Sequence, residues 1–192
     1  MRKIVYLQKI GPVDDIILLK LKKSLKWAFR RYDLNVKILY YELPLLYKEY
    51  HQFTKQYDAD QILNRLKAYA ESKRSFRILG VISQDIFSKL VDFRFGCAKY
   101  LENSLYGVSL VSTFRLKEKL YDRVEDKFLF ELRVLKEALH ELGHTFGLSL
   151  EEHCKNHCVM NFSPTVSKIE EKPPFFCEKC AAKIESYFND LK

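Results

Sequence analysis

The residues best suited to chemistry are His140, Glu141 and His144, in the run His140-Glu141-Leu142-Gly143-His144. On a helix of 3.6 residues per turn, positions i and i+4 lie about 40° apart, so both imidazoles project from one face and can share a metal ion. Glu141 stands beside them, placed to touch a water on that metal without ligating it. Zinc held there would lower the pKa of a coordinated water from about 15.7 to roughly 7 and would polarise a carbonyl under attack. Glu141 would take the water's proton and later deliver it to a leaving amine, which is the chemistry of peptide-bond hydrolysis. The pattern is only moderately specific alone, and its place on an amphipathic helix strengthens it. Without a metal, the same histidines would be ordinary surface or core residues.

A second ligand set lies downstream. Cys154-x3-Cys158 and Cys177-x2-Cys180 are two close pairs separated by eighteen residues, a spacing that suits a tetrahedral zinc site of four thiolates. Such sites bind zinc with apparent energies of roughly 10 to 16 kcal/mol, comparable with the whole stability of a domain, about 5 to 15 kcal/mol. Zinc could therefore order a segment with little core of its own while performing no chemistry. A redox pair at Cys177 and Cys180 is the alternative. Cys97 falls in a strand and reads as a small buried apolar residue.

These ligands need a scaffold. At 192 residues and 47% hydrophobic content, the chain can bury one sizeable core. Residues 1–9 read as a first strand, Gly11-Pro12 as a turn, and Asp14 or Asp15 as the cap of a helix running to about Arg31. Leu34 to Leu43 reads as a strand stopped by Pro44, and Leu45 to Tyr57 has no clear period. Asp60 caps a second helix to about Ala70, with Ile62, Leu63, Leu66 and Tyr69 on one face, and Phe76 to Ser83 follows as a buried strand. This alternation predicts an α/β fold with a mixed but mostly parallel twisted sheet flanked by helices. Phe93 to Tyr100 and Tyr106 to Leu116 are two further strands joined through Leu101–Leu105. From Asp122 to about Leu148, Val124, Phe128, Leu132, Leu135, Leu139 and Leu142 recur every three or four residues. They predict a long active-site helix with the metal motif on its last turns. Beyond Ser149 the chain turns polar, with interleaved His and Cys, before a last helix from about Cys177 to Leu191. The expected organisation is an N-terminal α/β subdomain over residues 1–147 and a small zinc-stapled C-terminal subdomain over residues 148–192.

Taken together, these residues resemble the archaemetzincins, a metzincin-like family of zinc metallopeptidases with a cysteine-rich motif after the catalytic histidines. The matching elements are His140 to Leu148, then His153-Cys154, Cys158-Val159-Met160 and Cys177-Glu178-Lys179-Cys180. Upstream, Ile78 to Val81, Asp85 to Phe87, Phe93 to Ala98 and Val111 to Leu116 look like the strands before the active-site helix. The resemblance implies two zinc ions per chain. His140, His144 and a third histidine would hold the catalytic zinc, with Glu141 as general base and Met160 in the methionine turn beneath the metal. Cys154, Cys158, Cys177 and Cys180 would hold the structural zinc. Val108 to Phe114 would resemble the edge strand that aligns an extended substrate.

Two departures concern the third ligand. Gly147 lets the chain leave the helix through positive φ and turn back toward the metal, and the metzincin pattern then places a histidine at position 150, where this chain has leucine. His153 lies six residues after Gly147, and the first cysteine pair is spaced by three residues rather than four. An insertion around Leu150-Glu151-Glu152 with His153 reaching the metal accounts for this; His157, Glu152 or a water are the alternatives.

The formal charge is +8, densest over Lys20 to Arg31, where Leu18, Leu21, Leu25, Ala28 and Phe29 recur at helical spacing. A packed helix with a solvated basic face accounts for this, so a peptide or protein substrate is expected rather than nucleic acid. No apolar run approaches the roughly 18 to 20 residues of a membrane-spanning helix, and no secretory signal is evident, so a cytoplasmic location is expected. The rival function is a catalytically weak or inactive zinc-stabilised relative that binds nucleic acid or a protein partner.

Overall fold

The computed structural model describes residues 3–89, 91–99 and 106–191, and the predicted connection Leu101–Leu105 lies outside them. Strand β1 (Ile4–Ile10) leads into α1 (Asp15–Ala28), where the side chain of Asp14, not Asp15, accepts the backbone N–H of Ile16 at 2.9 Å. Leu18, Leu21 and Leu25 are buried on one side of α1 while Lys20, Lys23 and Lys26 stay in solvent. The helix stops at Ala28, and a short 3-10 turn over Arg30–Tyr32 ends at Asp33, whose φ is 49°.

Strand β2 is shorter than predicted, Asn35–Ile38. Beyond it the chain still tracks β1, with Leu43 N–H donating to Lys9 O at 2.9 Å. The aperiodic stretch that follows holds β3 (Tyr50–His51) and β4 (Gln56–Asp58). Helix α2 (Ala59–Ser72) is capped by Asp58 rather than Asp60: the Asp58 carboxylate accepts from the N–H groups of Asp60 and Gln61. Then come β5 (Arg77–Ile82), β6 (Ile86–Ser88), β7 (Val91–Arg94), β8 (Gly96–Lys99) and β9 (Gly107–Ser112). The strand predicted from Phe93 breaks at Phe95, its first half joining one sheet and its second half another.

The main sheet runs β2-β1-β5-β9-β8, parallel except for β8, which is antiparallel to β9. Leu7, Leu79, Val81 and Val111 face one layer, formed by α1 and the long helix α3 (Lys127–Thr145). Ile78, Ile82, Val108 and Leu110 face α2 on the other. The fold is thus the expected layered α/β arrangement with a mostly parallel sheet. One expectation is corrected: the strand from Val108 lies inside the sheet, between β5 and β8, because Gly96 to Lys99 pairs along it, and β8 forms the edge. A second, four-stranded sheet, β3-β4-β6-β7, has no clear periodic signal in the sequence.

After α3 come α4 (Val166–Glu171) and α5 (Glu178–Asp190). Their residues Val166, Ile169, Ile184 and Phe188 join the core beneath α1 and α3. Among the described residues no helix is long and apolar enough to cross a membrane.

Candidate active site

Helix α3 begins five residues later than its apolar period suggests. Asp126 caps it by accepting the N–H of Leu129 at 3.0 Å, and Val124, outside the helix, is fully in solvent. At the other end Leu148 N–H donates to Gly143 O and Gly147 N–H to His144 O, both at 3.2 Å, with Gly147 at φ 85°. This is a Schellman turn, and only glycine adopts its left-handed position without steric cost. The turn points the carbonyl of Leu148 back at His144, whose Nδ1 donates to it at 3.1 Å. His140 Nδ1 donates in the same way to Val159 O at 3.0 Å.

Because a carbonyl oxygen only accepts, both Nδ1 atoms carry the hydrogen and both Nε2 atoms present lone pairs. Those two Nε2 atoms lie 3.1 Å apart, too close for bare lone pairs unless a cation or proton lies between them. The ring of His153 stacks with His140 at a centroid distance of 5.8 Å, and the three histidines bring their nitrogens within 4.8 Å of one another. His157 is exposed and meets Phe175 instead. Burial lowers the pKa of all three clustered rings, to about 4 for His144. They are neutral at pH 7, as metal ligands must be, and the donor set fits zinc.

Glu141 is buried next to this cluster. Burial foremost, and then the carboxylate of Glu137, push its pKa well above the ordinary value, against the opposing charges of Lys172 and Arg94. Gly96 on β8 makes its place: a Cβ there would lie 2.7 Å from Glu141 Cγ and 2.8 Å from its Oε1. Gly143 does the same for Met160, whose Sδ would be 2.6 Å from an added Cβ. The methionine therefore lies hard against the helical turn that carries both histidines.

The four sulfurs of Cys154, Cys158, Cys177 and Cys180 also gather within 4.8 Å of one another. Cys158 Sγ accepts from the N–H of Cys177 at 3.2 Å and of Met160 at 3.5 Å. Burial pushes the Cys158 thiol up to about 11. Burial also works against ionising Cys177, but hydrogen bonds led by the Cys180 N–H and the Asn156 amide bring it down to about 6. Four thiolates this close require a divalent cation to coexist, and four sulfurs suit zinc. The histidine cluster opens into a cleft of about 680 Å³, one wall of which is β8.

A sequence profile of peptidase family M54 matches residues 3–186. The chain belongs to peptidase family M54. An archaemetzincin of Pyrococcus furiosus is 32% identical over 188 residues, 96% of this chain and 94% of its own length. One of Sulfolobus acidocaldarius is 34% identical over 181 residues, 94% and 95%. The crystal structure of the Archaeoglobus fulgidus archaemetzincin matches at 33% identity with a TM-score of 0.75, covering 94% of this chain and 99% of that one. That of Methanopyrus kandleri matches at 27% identity and TM-score 0.75, covering 98% and 96%. As an M54 member the protein is a zinc metallopeptidase, a hydrolase acting on peptides or proteins.

Three charged residues of the M54 cleft carry no motif signal in the sequence. Glu137 sits one helical turn before Glu141, and helical periodicity could have found it. Lys172 and Arg94 reach the same cleft from α4's end and from β7, a convergence that exists only in three dimensions.

Proposed function

We propose that this M54 peptidase cleaves peptide bonds at the cluster of His140, His144 and His153, with Glu141 as general base. The three histidines would hold the catalytic zinc and the four cysteines a structural one, two per chain, with Met160 packed beneath the first. When bound, the catalytic zinc polarises the scissile carbonyl and acidifies the attacking water. The observation that carries the reading is the pair of Nε2 atoms 3.1 Å apart, each fixed as an acceptor by a carbonyl behind its ring.

Glu141 is suited to take a proton from the water and pass it to the departing amine nitrogen, because burial raises its proton affinity toward the working pH. Strand β8 ends the sheet beside the cleft, so an extended peptide can pair along it. Residues 148–192 act as the zinc-stapled subdomain that carries His153 and Met160 to the α3 motif. Four cysteines gathered as a metal cluster rather than paired as disulfides are what a reducing, cytoplasmic compartment favours. The test is Glu141→Gln, expected to be inert on a peptide library while elemental analysis still finds both zincs. Turnover retained in that variant would remove Glu141 from the role.

A further inference from the structure

Three of the buried or half-buried arginines hold a carboxylate, and the buried Arg77 donates to the carbonyls of Phe76 and Thr145. Arg65 is bidentate to Glu49, at 2.7 and 2.9 Å, and Arg133 is bonded to Glu118 and Glu170. Arg115, beside β7, is bidentate to Asp85 at 2.7 Å to each oxygen, with its guanidinium over the ring of Phe93. Arg94 differs. It is half-buried and lines the catalytic cleft, yet its one hydrogen bond among the described residues runs from Nε to Ser88 Oγ, at 2.8 Å, and no carboxylate there is in ion-pair range.

Lys172 is bonded to Glu137 at 2.7 Å, Asp60 accepts the N–H of Lys89 at 3.3 Å, and Asp92 lies exposed on β7 without an ion pair among the described residues. Arg94 is the last residue of β7, and Gly96, two residues on, packs against Glu141. A planar fork fixed at Nε by a neighbouring strand and offering its two terminal nitrogens matches the two oxygens of a carboxylate. A lysine or a neutral donor would not match both.

Resting on the peptidase reading of the histidine cluster, we infer that Arg94 reads a carboxylate of the substrate, either an Asp or Glu side chain or the free C-terminus, on the β7 side of the cleft. The peptide would bind with that group on the Arg94 terminal nitrogens while its backbone follows β8 past Glu141. Arg94 is thus a specificity residue that contacts substrate and takes no part in the proton transfers.

The test uses the zinc-loaded full chain and one set of defined peptides. In one arm Asp is replaced by Asn at each position in turn; in the other a free C-terminus is compared with its amide. Cleavage by the wild type, Arg94→Gln and Arg94→Lys is followed as kcat/KM, and binding of the same peptides is measured by calorimetry. One carboxylate arm should exceed its neutral partner by on the order of 10- to 100-fold in the wild type. That ratio should fall to about 1 in Arg94→Gln and remain only partly in Arg94→Lys, whatever the common change in rate; the arm that responds identifies the carboxylate. Cleavage with no preference in either arm, or an Arg94→Gln variant that slows acid and amide peptides alike, overturns the inference and leaves the peptidase reading standing. If nothing is cleaved but the carboxylate peptide binds more tightly in an Arg94-dependent way, the inference stands and the reading of the histidine cluster falls. If neither cleavage nor binding discriminates, the inference is overturned.

Discussion

Lys172 Nζ donates to Glu137 Oε1 at 2.7 Å, with side chains only 2% and 6% exposed, one helical turn before Glu141. A pair this deep in the protein gains little over well-packed apolar residues, but removing one partner strands a charge. Lys172→Met should therefore destabilise the zinc-loaded protein by about 3 to 5 kcal/mol in urea unfolding, and Lys172→Met with Glu137→Leu should recover most of that loss. A double variant no more stable than the single one would mean the pair has a different energetic role.

Gly96→Ala tests how tightly β8 holds Glu141. The added Cβ would lie within 2.8 Å of Glu141 Oε1 and 2.9 Å from the carbonyl of Leu110. Backbone cannot yield easily, so the carboxylate must move. A displacement near 1 Å costs on the order of 100-fold in rate. We expect kcat to fall by that order while both zincs remain bound. Unchanged kcat would show that Glu141 does not work from the position in which it is packed.

What could be read from the chain divides along lines of range. His140, Glu141, His144 and the cysteine pairs are legible because helical pitch and short ligand spacing act locally. The parallel core strands are legible because burial on both faces makes continuous apolar runs, as in Ile78 to Ile82. The small sheet is not, because strands as short as Tyr50–His51 gain their stability only from partners such as Gln56, and Gln56 in turn holds Asp85 and the carbonyl of Asp92. Apolar periodicity misplaced the start of α3 because it cannot distinguish Val124 and Phe128, both exposed, from residues that pack; the Asp126 cap decides. Helix α4 went unread although Thr165 caps it by accepting the N–H of Lys168 at 3.3 Å, because six residues are too few to show a period.

The third ligand separates two histidines four residues apart. His153 brings a nitrogen to the His140 and His144 cluster, whereas His157 is exposed against Phe175. His153→Ala should leave one zinc per chain by elemental analysis and abolish cleavage. His157→Ala should retain two zincs and near-full turnover. The reverse pattern would transfer the role to His157 and require the loop from Leu150 to close differently.

The cysteine site and the histidine site share a segment, and this sets the order in which they fail. Cys154 follows His153 directly, its N–H donates to Met160 O at 3.3 Å, and Cys158 Sγ accepts from Met160 N–H at 3.5 Å. Helix α5 keeps its own hold on the core through Ile184 and Phe188, the latter stacked on Tyr32 at 5.3 Å, so it does not depend on zinc alone. The segment from Leu150 to Asn161 meets the core at Cys154, Cys158, Val159 and Met160, and in the proposed two-zinc arrangement the thiolate-bound ion would hold the rest. Cys177→Ser should therefore lose the structural zinc and also weaken binding at the histidines, so that mild chelation leaves the variant empty at both sites. His153→Ala should lose only the histidine zinc, because the four sulfurs remain gathered. Zinc counted after graded chelator treatment, with cobalt substituted to report thiolate ligation by its absorption, measures both. Full retention of the histidine zinc in Cys177→Ser would mean that the Schellman turn and the Val159 carbonyl suffice to hold that site without the cysteine cluster behind it.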